Sequence, residues 1–268
     1  MPNRRTPMTL TPPKKDQRFS ASALKLIAVV SMTLDHLAWA FVPLDSFSGQ
    51  ILHALGRFAF PLFAFLMAEG FWHTRNLKRY VMRVGVFAFL AHLPFQYFAL
   101  GRLPLWQQSP LDGIFTPFYT SILFPFFLGL LCLTLYYKTS LKPAVKYAGV
   151  FLLSVLAMLG DYGYFATLGV FFFGRAKGNR TQTLQSGALV LGFLVVLVLM
   201  PAPRDNLFML ATFFPLGLIA AYNGTLGFAQ SQKAKMGFYL FYPLHFLLLG
   251  LLKYTVLHQG PIFPTLGF

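Results

Sequence analysis

Nine apolar segments follow one another along this chain, at approximately residues 22–43, 53–72, 80–100, 117–137, 144–160, 162–174, 184–201, 207–222 and 236–257. About 20 apolar residues span a bilayer as a helix. In lipid each backbone N–H and C=O must find its partner within the segment, so runs of this kind fold as helices. The chain is 56% hydrophobic and 11% charged, where a soluble domain carries roughly 25% charged residues. The sequence therefore predicts an all-α, polytopic transmembrane helix bundle of about nine spans. The sixth and eighth segments are short. A re-entrant sixth segment would swap the side of every later loop.

The loops between the segments set the orientation. With the N-terminus inside, 17 basic residues fall on the cytoplasmic side: Arg4, Arg5, Lys14, Lys15 and Arg18; Arg75, Lys78, Arg79 and Arg83; Lys138, Lys142 and Lys146; Arg175, Lys177 and Arg180; Lys233 and Lys235. Only Arg102 and Arg204 fall outside. This is the positive-inside pattern, and it predicts an N-in, C-out protein of the cytoplasmic (inner) membrane. The same placement explains the net charge of +15 without nucleic acid, because the charge is spread over short loops. Residues 1–20 are polar and proline-rich, lack the apolar core of a signal peptide, and read as a disordered cytoplasmic tail. Residues 21–268 read as one transmembrane helical domain, since the longest loop (about 101–116) is short. The single cysteine, Cys132, excludes an internal disulfide.

Ionisable residues inside the spans are the candidates for function. A charge at the bilayer centre costs at least roughly 2.5 kcal/mol, yet Asp35 and His36 stand side by side within Ala23–Leu44. At about 1.5 Å of rise per residue, His36 lies roughly 20 Å from the cytoplasmic face. Arg57, descending from the outer face in the second span, lies about 6 Å below it, at a similar depth. His92 and His245 come out nearer the midplane, and Asp161 sits at the outer end of the fifth span. Depth thus predicts a central polar cavity formed by His36, Arg57, His92 and His245, with Asp161 at its rim. Adjacent helical residues point about 100° apart, so Asp35 does not orient His36. It is expected to pair with a buried cation such as Arg57.

A second cluster marks the cytoplasmic end of the second and third spans: Glu69, His73, Arg75, Lys78, Arg79 and Arg83. These cations suit phosphate groups, helped by a helix N-terminus near Tyr80, or they anchor the loop inside the cell. Glu69, an acid at the inner edge of a span, is not explained by anchoring. Gly56, Pro61 and Gly70 make the second span an irregular, cavity-lining helix. His53 and His258 fall at outer helix ends and are expected in solvent. No zinc-ligand spacing, GxSxG, P-loop or GxGxxG occurs, so no metal is expected.

Several strings then occur in a characteristic order: Ala23-Leu24-Lys25-Leu26-Ile27-Ala28 followed by Met32, Asp35 and His36; Gly56-Arg57-Phe58-Ala59-Phe60-Pro61-Leu62-Phe63-Ala64-Phe65; Glu69-Gly70-Phe71 through His73-Thr74-Arg75-Asn76; Asp161-Tyr162-Gly163; Tyr222-Asn223-Gly224; and Phe241-Tyr242-Pro243-Leu244-His245. From about residue 22 to 250 the chain resembles the TraX family, named for the inner-membrane protein that acetylates the N-terminus of conjugative pilin. The resemblance implies an acetyl-CoA-dependent acyltransferase, acting on an amine or hydroxyl of a pilin N-terminus or an envelope glycan. It also implies that the deep histidine, His36, is catalytic and that CoA enters from the cytoplasm.

Both readings meet in one expected mechanism. Arg75, Lys78, Arg79 and Arg83 hold the phosphates of acetyl-CoA, and the pantetheine arm threads between helices towards His36. His36 acts as general base, with Arg57 or a neutral His245 stabilising the oxyanion. Direct transfer and an acetyl-histidine intermediate both remain open, and so do two other classes: a proton-coupled transporter of a small solute, and a non-enzymatic envelope assembly partner.

Overall fold

A computed structural model describes residues 18–103, 116–203, 205–228 and 231–263. Most of the tail, most of the 101–116 loop and Arg204 lie outside the described residues. Every regular element among the described residues is a helix, and the only β-type pairings there are two isolated backbone bridges. The helices are α1 (Ala21–Phe41), α2 (Phe47–Gly56), α3 (Ala59–His73), α4 (Leu77–Leu90), α5 (His92–Leu100), α6 (Leu123–Lys138), α7 (Pro143–Leu156), α8 (Gly163–Ala176), α9 (Arg180–Leu199), α10 (Phe214–Ala220) and α11 (Gln232–Gly250). Every apolar segment read from the sequence is helical. Five stretches are long and apolar enough to cross a membrane: Ala21–Phe41, Phe47–His73, Leu77–Leu100, Arg180–Leu199 and Lys233–Val256. Shorter apolar helices complete the bundle.

Three of the long stretches are interrupted, and the interruptions decide where polar residues stand. The second breaks at Arg57 and Phe58, between α2 and α3. Pro61 falls in the first turn of α3, where a missing N–H costs no helical bond. The third stretch breaks at Ala91, with Pro94 in the first turn of α5. Gly101, at φ 69°, ends α5 in the left-handed conformation that glycine adopts without strain. Pro243 lies inside α11, so the carbonyl of Tyr239 loses its helical donor. Beyond Gly250 the helix loosens into a π-turn over Leu251–Val256.

The core forms where α3, α6 and α8 meet. Leu62, Ala64, Leu130, Leu133 and Val170 are fully buried there. Small residues let membrane helices approach closely. A Cβ on Gly129 would stand 2.7 Å from Val170 Cβ and 2.9 Å from the Thr167 carbonyl, so only glycine permits this α6–α8 contact. Trp72 Nε1 ties α3 to α8 by donating to the Gly174 carbonyl at 2.8 Å. The outward surface is apolar instead: Phe151 and Leu152 on α7 and Phe193 on α9 are each more than 60% exposed. Large apolar side chains turned outward on several helices suit hydrocarbon rather than water.

Candidate functional site

Asp35, on the fourth turn of α1, is the centre of a buried ion network. Its Oδ2 accepts from Arg57 Nη2 at 2.5 Å, and its Oδ1 from His53 Nδ1 at 2.9 Å. The α2–α3 break carries Arg57 to this point, and the Arg57 backbone N–H still closes the last turn of α2 on the His53 carbonyl. Arg57 Nη1 donates to the Tyr162 hydroxyl at 2.5 Å, and the guanidinium lies 5.3 Å from the Phe208 ring centroid. The Asp35–Arg57 ion pair, with the hydrogen bonds from His53 to Asp35 and from Arg57 to Tyr162, offsets the desolvation of these ions. Gly56 leaves the room they need, because a Cβ there would collide with the Asp35 side chain.

His53 belongs to this network and is 0% exposed, contrary to the solvated helix end expected for it. The apolar pattern placed its helix start at 53, whereas α2 begins at Phe47. His53 therefore lies in the second turn and faces α1. His258 is exposed, as expected.

The neighbouring His36 points away from Asp35's partners and meets α11. Its Nδ1 lies 2.8 Å from His245 Nε2, with the rings stacked at 5.0 Å. His245 Nδ1 is 3.2 Å from the Phe241 carbonyl, which can only accept. With both rings neutral, His245 therefore carries its proton on Nδ1 and accepts at Nε2. His36 must then donate from Nδ1, which leaves its Nε2 unprotonated, as a general base requires. This assignment leaves neutral His245 with no N–H to offer an oxyanion. Phe98 and Phe246 pack on the His36 ring at 5.6 and 4.7 Å.

His36, Arg57 and Asp161 all line a cavity of about 260 Å³, together with Asp35, Tyr119 and Tyr162. Trp39, Phe95, Phe98 and Phe263 supply apolar wall. The Asp161-Tyr162 loop is pinned beside this cavity by two backbone bonds: Thr120 N–H to the Leu159 carbonyl at 2.8 Å, and Asp161 N–H to the Thr120 carbonyl at 2.9 Å. Tyr162 takes a φ of 60°, followed by Gly163 at 47°. A non-glycine residue in the left-handed region costs roughly 1–2 kcal/mol, and the Tyr162 N–H bond to Asp161 Oδ1 at 3.0 Å helps to hold it. Asp161 lies in a loop outside the spans. Burial pushes its carboxyl up to about 6, against the opposing pull of Arg57. His92 lines neither this cavity nor the next one. The break at Ala91 resets the rotation of α5, which depth counting could not include.

The second cavity is larger, about 710 Å³, and opens at the basic end of the bundle. Lys25, Arg75, Arg79, Arg83 and Lys235 line it, with Glu69 and His73. Lys78 is exposed and does not line it; one residue before Arg79, it points about 100° away. Lys25 and Lys235, absent from the sequence-derived cluster, join from α1 and α11. Asn76 caps α4 by accepting from the Arg79 N–H at 3.0 Å, which sets that helix N-terminus on the rim. His73 stands four residues from Glu69 and 3.6 Å from its carboxylate. Deep inside, the cavity reaches Met32, Phe241 and Tyr242. Met32 is one helical turn from His36 on the same face of α1, and Tyr242 packs on His245 at 5.5 Å. His36 thus lines the smaller cavity, whereas His245, expected in the central cavity, lines neither; its ring stacks behind His36 and touches Tyr242 of the larger cavity.

The family described as TraX protein matches residues 20–253. The chain is also 30% identical, over 237 residues, to the probable fimbrial assembly protein FimC, serogroup H1, of Dichelobacter nodosus, covering 86% of this chain and 94% of that protein. No solved structure matches.

Proposed function

The chain belongs to the TraX family, and from that premise we propose that it is a membrane acetyltransferase serving a pilin or envelope acceptor. Acetyl-CoA binds in the larger cavity, its phosphates against Lys25, Arg75, Arg79, Arg83 and Lys235. These five cations line one cavity, and such convergence fits a polyphosphate ligand. Nine spans with the N-terminus inside would turn this cavity to the cytoplasm, where acetyl-CoA is made. The smaller cavity takes the acceptor amine or hydroxyl.

The observation that carries the reading is the His36–His245 hydrogen bond, with His36 on the wall of the smaller cavity and His245 against Tyr242 of the larger. His36 Nε2 removes the proton as the acceptor attacks the thioester carbonyl. The new C–N or C–O bond forms, the tetrahedral intermediate collapses, the C–S bond breaks, and the thiolate recovers a proton from His36. His245 holds the imidazole in register and disperses its charge through the Phe241 carbonyl. Asp35, Arg57 and His53 form the fixed electrostatic frame, and Asp161 faces the acceptor. The similarity to a probable fimbrial assembly protein supports an acceptor among surface-structure components.

The test is release of free thiol from acetyl-CoA by purified protein in proteoliposomes. Loss of a general base costs about 10²–10⁴-fold in rate, so His36→Ala is expected to fall by that amount while remaining folded. Turnover unchanged in His36→Ala, or no turnover by the native protein, contradicts the reading.

A further inference from the structure

We infer that the Tyr162 hydroxyl is the hydrogen-bond donor to the oxyanion of the tetrahedral intermediate, an assignment that rests on the acetyl-transfer reading above. Sequence reasoning proposed Arg57 or His245 for this task. His245, in the tautomer set by Phe241, has no N–H to spare. Arg57 commits Nη2 to Asp35 and Nη1 to the Tyr162 oxygen, and its buried Nε–H, which has no hydrogen-bond partner among the described residues, is the competing donor that the experiment below separates from the phenol. A phenol that accepts from a guanidinium keeps its own O–H free to donate, and the cation strengthens that donation.

The backbone points the same way. Tyr162 has positive φ, its N–H donates to the carboxylate of Asp161, whose own N–H is tied to the Thr120 carbonyl, and its ring packs on Phe60 at 4.6 Å. Strain maintained at a cavity wall is a mark of a positioned group. Tyr162 and His36 line the same small cavity, so the base and the donor can reach one carbonyl from different sides. During attack the carbonyl π electrons move to oxygen, and Tyr162 donates a hydrogen bond to that oxygen without giving up its proton. When the C–S bond breaks, the carbonyl re-forms and the bond weakens. Arg57 acts through Tyr162, as a positioning residue.

The experiment follows thiol release from acetyl-CoA by the full chain in proteoliposomes, with a short peptide bearing a free amino terminus as acceptor. Tyr162→Phe keeps the ring and removes the donor. Its kcat is expected to fall about 10²–10³-fold, the usual effect of losing one oxyanion donor, with KM for acetyl-CoA unchanged. A folded Tyr162→Phe protein with native kcat overturns the assignment. Should that variant not fold, Tyr162→His against Tyr162→Leu makes the same comparison, and equal kcat values overturn it. A native protein that releases no thiol sinks the acetyl-transfer reading and this assignment with it. Native turnover beside a fully active Tyr162→Phe removes only the role of the hydroxyl.

Discussion

A single methyl group is the smallest change that should disturb the ion network. Gly56→Ala would push its new carbon into Asp35. Forcing extra volume into a packed site costs about 1–3 kcal/mol, measurable as a lower unfolding midpoint in detergent. Asp35→Asn keeps the shape but leaves Arg57 buried without its counter-charge, and breaking such a pair costs about 3–5 kcal/mol. The exchange Asp35→Arg with Arg57→Asp is expected to be more stable than the two single changes combined, and strict additivity would argue against the pair as the stabilising element. At this scale the sequence was informative where charge was anomalous. Asp35, His36 and Arg57 stood out because hydrocarbon penalises them, and a shared depth brought Arg57 to Asp35. Tyr162 was only part of a recognised string, because neither its left-handed backbone nor the Arg57 bond has a signature in residue type. His53 was misplaced by six residues of helix start, about 9 Å of rise.

Helix geometry decides which cations face the larger cavity. Arg79 and Arg83 are four apart and share a face of α4, while Lys78 falls off it. That distinction was present in the spacing, and applying it would have removed Lys78. Lys25 and Lys235 were less accessible to reasoning, since each sits alone near the end of a different apolar run. Charge-assisted hydrogen bonds contribute about 1.5–3 kcal/mol. Arg79→Gln or Lys25→Met should therefore raise KM for acetyl-CoA about 10–100-fold with kcat retained, whereas Lys78→Gln should leave KM unchanged. Steady-state kinetics over a range of acetyl-CoA concentrations separates these outcomes. Equal effects at all three positions would mean general surface attraction rather than a built site. The breaks in α2–α3 and α4–α5 explain both a success and a failure of depth counting. The first sets Arg57 against Asp35, and the second turns His92 away from the cavity.

Across the whole molecule, composition alone specified the helical bundle, since apolar runs of this length in lipid have few other solutions. Which helices touch was not legible, because α6–α8 and α3–α8 packing depends on rotation and on glycines such as Gly129. The chain carries 7 acidic residues; Asp35 and Asp161 line the smaller cavity with His36, and Glu69 lines the larger one. The proposed orientation predicts that an impermeant thiol reagent added to intact cells labels Ser48→Cys and spares Ser140→Cys, in a background where Cys132 is replaced. The reverse pattern would turn the basic cavity outward, away from its proposed ligand. The two-cavity arrangement has one most direct test: sided transfer in oriented proteoliposomes. Radiolabelled acetyl-CoA is supplied only at the basic face, and a peptide with a free amino terminus is trapped on the other side. Label appearing on the trapped peptide with native protein, and not with His36→Ala, is the predicted result. Label confined to the side of acetyl-CoA, or equal transfer by His36→Ala, would contradict transfer through the histidine pair.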